Sequence, residues 1–185
     1  MSKKYTSQHQ FPQDNYLVRC TSAGFGPSKT SGKPMITLEF EILSPEVVEI
    51  GGEQFTVAGI QTRPSYHVTQ SIDGEGNLDA EKTETIKENL DKLCEAFQLP
   101  LIDNPENPVV DTFVGKVVWA LVNSEKFEKR KSPTADQLKR GEKQGDILKN
   151  PITGEPLVSY YPKIERFFGV PAADVVSAAT ANRPF

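Results

Sequence analysis

The sequence predicts a mainly β domain: a small antiparallel barrel of five strands, with one helix between the third and fourth. Two observations carry this expectation. Apolar residues alternate at a period of two in several segments, and in only one do they recur every three or four residues over a long stretch. At 185 residues the chain suits one domain, with a body over about 16–168, a loose amino-terminal arm over 1–15 and a tail over 169–185.

"YLVRCTS" alternates Tyr16, Val18 and Cys20 against Leu17, Arg19 and Thr21, as a half-buried strand does. "AGFGPSKTSGKP", with three glycines and two prolines, is expected to be a mobile connection carrying Lys29 and Lys33. "MITLEFEIL" points Ile36, Leu38, Phe40 and Ile42 inward and Thr37, Glu39 and Glu41 outward. After Ser44-Pro45, a β-branched stretch around Gly51-Gly52 reads as one or two further strands. The period then changes: Ile86, Leu90, Leu93 and Phe97 predict a helix over about 79–98, with acids crowding its first turn. "TFVGKVVWALVN" returns to strand, and Trp119, on a face with Val117 and Leu121, is expected in the core rather than free for stacking. Tyr160 is expected in the core as well. Ser132-Pro133 before "TADQLKR" offers a cap and first-turn proline for a short helix within the following long loop. "LVSYYPKIERFF" is the last strand, and the tail could close on a short Ala/Val helix.

Charge is unevenly spread around a formal net charge of −4. From Asp73 to Asp111 eleven acids face three lysines, whereas residues 123–149 hold eight cations and five acids. The pI near 5.3 argues against a wholly basic nucleic-acid coat and permits a local basic groove.

Several chemistries lack their residues. Cys20 and Cys94 sit in strand-like and helix-like segments, which suits packed thiols rather than a disulfide framework. His9, Cys20, His67 and Cys94 stand singly, without metal-ligand spacing. No G-x-S-x-G pattern accompanies His67. "GFGPSKTSGK" departs from the spacing of a phosphate-binding loop, and Pro34 bars the helix such a loop needs. Glu39 and Glu41 share an outward strand face, where solvation explains them. No cofactor, metal or catalysis is expected. No apolar run is long enough for a membrane span and the first fifteen residues lack a signal-peptide core, so a cytoplasmic protein is expected.

The layout resembles the oligonucleotide-binding (OB) fold, whose binding face is flanked by its first and last hairpin loops. In particular "YLVR", "SGKPMITLEFEIL", "LDKLCEAFQL", "FVGKVVWALV" and "YYPKIERFF" resemble the small single-stranded-DNA-binding proteins of tailed bacteriophages, over roughly Tyr16 to Phe168. The resemblance implies coating of exposed single strands in phage replication or recombination, with single-stranded DNA, replication or recombination proteins and further copies of the chain as partners. The ending "ATANRPF" places Arg183 where many bacterial single-strand binders carry acids, so deletion of Arg183–Phe185 is expected to leave single-strand affinity within a few-fold.

Single-strand binders combine cations that follow phosphates with aromatic faces that stack bases. The candidates here are Arg19 on the first strand, Lys29 and Lys33 in the first loop, and Lys116 ahead of the fourth strand. Lys126, Phe127, Lys129, Arg130 and Lys131 open the last loop, and Tyr161 and Lys163 share one face of the last strand. A lone lysine is as well explained by solvation, whereas the run Lys129-Arg130-Lys131 repels itself and suits a polyanion. Two rival classes are a protein-interaction module using the acidic helix and a double-strand binder, for which no recognition-helix pattern is present.

Overall fold

The computed structural model describes residues 2–172 apart from 30, 69, 71, 73, 74, 106 and 143. The Ala/Val helix expected in the tail and the Arg183–Phe185 ending lie outside the described residues. The fold is mainly β: β1 Lys3–Lys4, β2 Asp14–Pro27, β3 Pro34–Ser44, β4 Val47–Ile50, β5 Glu53–Thr56, β6 Gln61–Thr62, β7 Ser65–His67, α1 Ala80–Ala96, β8 Val117–Glu128, α2 Ala135–Lys139 and β9 Val158–Gly169. Two sheets result, one in the order β1-β5-β4 and one in the order β6-β3-β2-β8-β9, with β7 also paired to β3.

Alternation governs the core as expected. Ile36, Leu38, Phe40 and Ile42 of β3 are all fully buried, and so are Tyr16, Val18 and Cys20 of β2. Leu17 and Leu43 are buried too. The β2–β3 ladder pairs Leu17 with Ser44 and Val18 with Ile42, so Leu43 is an extra residue that breaks the strict period. Helix α1 covers the core with Leu90, Leu93, Cys94 and Ala96. Asp79 starts the helix, its carboxylate accepting the Lys82 backbone N–H at 3.1 Å, which satisfies one of the first-turn donors. Cys20 and Cys94 are free and buried, and burial pushes the Cys20 thiol up to about 11.

The structure corrects several expectations. The amino-terminal arm is packed, not loose: β1 runs parallel to β5, Phe11 is buried, and Tyr5 meets it edge-on at 5.2 Å. Single anchoring aromatics carry no periodic signal. The first connection is short, because β2 and β3 remain paired out to Pro27 and Pro34, with Phe25 opposite Ile36. Gly24 and Gly26 sit as ordinary strand residues there. Among the described residues four short strands replace the expected one or two between β3 and α1, and β4 and β5 form a hairpin through Gly51 and Gly52, both at positive φ, as such two-residue turns require. The large sheet is not closed into a barrel by a backbone ladder among the described residues. Its outer strands β6 and β9 are bridged instead by the Thr62 hydroxyl, which donates to the Pro162 carbonyl at 2.9 Å; Pro162 has no N–H to offer a ladder.

Candidate nucleic-acid interface

The β8–β9 hairpin presents one face to solvent, and the register determines which side chains share it. Glu125 pairs with Tyr161, Asn123 with Lys163 and Phe127 with Ser159, and directly opposed residues of an antiparallel pair lie on the same face. Phe127 and Tyr161 meet edge-on with centroids 5.6 Å apart, yet stay 48% and 50% exposed. Two aromatic rings in contact would ordinarily be covered, so their joint exposure marks a surface able to accept a flat apolar group. Beside them Lys163 Nζ donates to Glu125 Oε1 at 2.8 Å, and Asn123 Nδ2 donates to Glu165 Oε1 at 2.9 Å.

The packed arm holds this face from behind. Tyr160 N–H donates to the Ser7 carbonyl at 2.7 Å, and the Tyr5 hydroxyl donates to the His9 carbonyl at 2.7 Å and to the Tyr160 carbonyl at 3.3 Å. Burial, and then the nearby Tyr161, push the Tyr5 hydroxyl up to about 12. Tyr160 is half-buried against the arm rather than in the core.

Beyond Phe127 the basic segment is built by backbone pairing. Lys129 N–H donates to the Leu157 carbonyl and its own carbonyl accepts from Leu148, both at 2.8 Å, while Lys131 N–H donates to the Asp146 carbonyl at 2.9 Å. Isolated bridges join Arg130 to Ile147 and Lys149 to Pro156. Helix α2 is tied to this frame: Thr134 and Gln137 form a capping box, and Gln137 Nε2 donates to Asp146 Oδ1 at 3.1 Å. The cap is Thr134, not the expected Ser132, because the Thr134 hydroxyl is the one within reach of the Gln137 N–H. Lys126, Lys129, Arg130 and Lys131 are exposed. Among the described residues Arg130 pairs with Glu128 at 3.4 Å, and no carboxylate pairs with Lys126, Lys129 or Lys131.

No family model, curated protein or solved structure matches this chain.

The remaining candidates lie apart from this group. Arg19 is half-buried on β2, with Nε donating to Glu41 Oε1 at 2.7 Å, so a phosphate would have to displace a carboxylate. Its neighbour pair, Arg63 with Glu39, neutralises the same outer face of β3. Lys116 is exposed just ahead of β8, and its carbonyl accepts the Cys20 N–H at 2.9 Å. Lys29 and Lys33 occupy the turn between β2 and β3, closed by Ser28 N–H to the Lys33 carbonyl at 2.8 Å. The β2–β8 ladder runs from Asp14 opposite Val122 to Arg19 opposite Val117. β8 continues past one end of it and β2 past the other, so the two basic loops leave opposite ends. Trp119 is not in the core: it stands opposite Leu17, half-buried, while Val118, Ala120 and Val122 turn inward. Arg166 and Phe168 were not among the expected site residues, and the structure stacks the Arg166 guanidinium over the Phe168 ring at 4.8 Å. Two shifts of register in the β8–β9 ladder hide this pair from a period-two reading. Among the described residues no group of three or more His, Cys, Asp or Glu side chains is placed to hold a metal.

Proposed function

We propose that the chain binds single-stranded DNA without catalysis, on an OB-like scaffold, as the bacteriophage single-strand binders it resembles do in replication or recombination. The exposed Phe127–Tyr161 pair carries the reading. It offers bases a stacking surface; Lys129 and Lys131, which follow Phe127 along the chain, are cations with which no carboxylate pairs among the described residues, whereas Lys126, opposite Tyr160, lies on the other face of β8. A base has a flat π face whatever its identity, so such a platform tolerates sequence. Lys29 and Lys33 at the other end of the sheet extend the electrostatic footprint. The order β3-β2-β8-β9, with α1 inserted before β8, supports the OB-like scaffold, in which β6 and β7 together take the place of the third strand.

Retention on immobilised single-stranded and duplex DNA at rising salt tests the reading. Preferential, salt-sensitive retention on the single strand is expected. Equal retention on both would favour a double-strand binder, and retention on neither would favour a protein-interaction module working through the acidic outer face of α1, where Glu81, Glu84, Glu88 and Glu95 are exposed.

A further inference from the structure

A cleft of about 410 Å³ opens between α1 and the carboxy-terminal end of β9, lined among others by Asn89, Lys92 and Glu95 from the helix and Glu165, Arg166 and Phe168 from the strand. We propose that it is a second base-stacking subsite, in which a nucleobase stacks on the Arg166–Phe168 pair; this rests on the single-strand reading above and adds a position to it.

Local structure explains why these side chains face the cleft. In the β8–β9 ladder Phe167 pairs with Ala120 and Gly169 with Trp119, so Phe168 is an extra residue; Arg166 pairs with Leu121 and Ile164 with Val122, so Glu165 is another. Bulges of this kind re-aim side chains, and they are common beside binding sites. Both extra residues line the cleft. Phe167 fixes the strand by packing between Phe40 and Phe97, at 5.2 and 5.1 Å, which leaves Phe168 turned out and 48% exposed. With the Arg166 guanidinium over one face of the Phe168 ring, the outer plane of either group is a flat surface of the kind on which single-stranded bases stack.

The charge around it selects which part of a nucleotide enters. Glu95 and Glu165 offset the charges of Arg166 and Lys92 in the lining, and Lys92 is already paired with Glu88 at 3.1 Å, so the cleft has no net positive charge to draw a phosphate in. The base is therefore the group that fits, and Asn89 supplies an exposed amide able to hydrogen-bond a base edge. Tyr161 and Phe168 lie seven residues apart on β9, about 20 Å along a strand. At about 3.4 Å per stacked nucleotide that span takes up to about six nucleotides, fewer for an extended strand.

Fluorescence anisotropy with oligonucleotides of about 4 to about 16 nucleotides tests the subsite, comparing the unaltered chain with Phe168→Ala, Phe168→Tyr and Arg166→Ala, each checked by thermal melting. The unaltered chain should gain affinity with length until both platforms are spanned. Phe168→Ala should bind the shortest strands normally and lose about 5- to 150-fold on the longer ones; Arg166→Ala should lose part of this and Phe168→Tyr should restore it. If Phe127→Ala weakens binding while Phe168→Ala follows the unaltered chain at every length, the second subsite is wrong and the first stands. If the unaltered chain binds no single strand, both readings fall.

Discussion

Phe127 and Tyr161 are the residues on which the proposed activity rests most directly. Each supplies one exposed ring, and truncation of a stacking ring costs about 1–3 kcal/mol. Phe127→Ala and Tyr161→Ala should each lower single-strand affinity by about that amount while leaving thermal stability nearly unchanged, since both rings are half in water. The double variant should lose less than the sum, because the rings touch and share whatever they hold. Equal affinity of both single variants and the unaltered chain in anisotropy would remove the hairpin face from the site. A different residue reports on the core. Burial raises the Cys20 thiol to about 11, above an unfolded value near 9, so the folded state holds its proton more tightly. The contribution to stability is complete below pH 9 and is lost as pH rises from about 9 to 11. Melting temperature should fall across that window, and alkylation of Cys20 at pH 8 should be far slower in the folded than in the unfolded protein. Trp119 shows what a sequence cannot reveal at this scale. It shares its face with Val117 and Leu121, and nothing in the alternation of β8 says which of the two faces is covered; Val118, Ala120 and Val122, smaller side chains, fill the inner one.

Elements were legible where periodicity was unbroken. β3 and α1 follow from their patterns because β3 buries every second residue from Ile36 to Ile42 and α1 buries Leu90, Leu93, Cys94 and Ala96, with Ile86 partly covered one turn ahead of them. β2 extends to about twice the length that its alternation marks, since Gly24, Gly26 and Pro27 signal a turn while the ladder to β3 continues through them. The bulge at Phe168 was invisible for a related reason: an extra residue reverses the alternation after it. The order of the amino-terminal arm is not legible in the sequence because it comes from tertiary contacts. Phe11 is buried among Tyr5 and Tyr16 at 5.2 Å from each, and its N–H donates to the Ser124 hydroxyl of β8 at 3.1 Å. Phe11→Ala should therefore cost about 3–5 kcal/mol of stability, as for other large buried rings. Chemical denaturation would measure this, and a loss under about 1 kcal/mol would show that the arm contributes little to the fold.

For the molecule as a whole, charge separation sets where a polyanion can lie. The exposed acids of α1 repel phosphate from one flank, and the two lysine-bearing loops attract it at opposite ends of the β2–β8 ladder. Each phosphate neutralised on a single strand contributes about −0.7 to the slope of log affinity against log salt. Lys129 and Lys131, which have no carboxylate partner among the described residues, should together account for about 1.4 of that slope. Arg130 already leans on Glu128, so adding Arg130→Ala should carry the change only part of the way to about 2. Lys139 and Arg140, paired with Asp136 and Glu142, should matter less still. Lys29→Ala with Lys33→Ala should remove a further amount of up to about 1.4. Distant sites without shared partners add, so combining both loop variants should flatten the slope by about the sum of the two changes on a strand long enough to reach both. On a strand too short to reach both loops the two changes should not add, because only one loop is engaged at a time. An unaltered salt slope in the Lys129→Ala, Lys131→Ala variant, with binding retained, would take the basic segment out of the DNA path and return its exposed lysines to simple solvation.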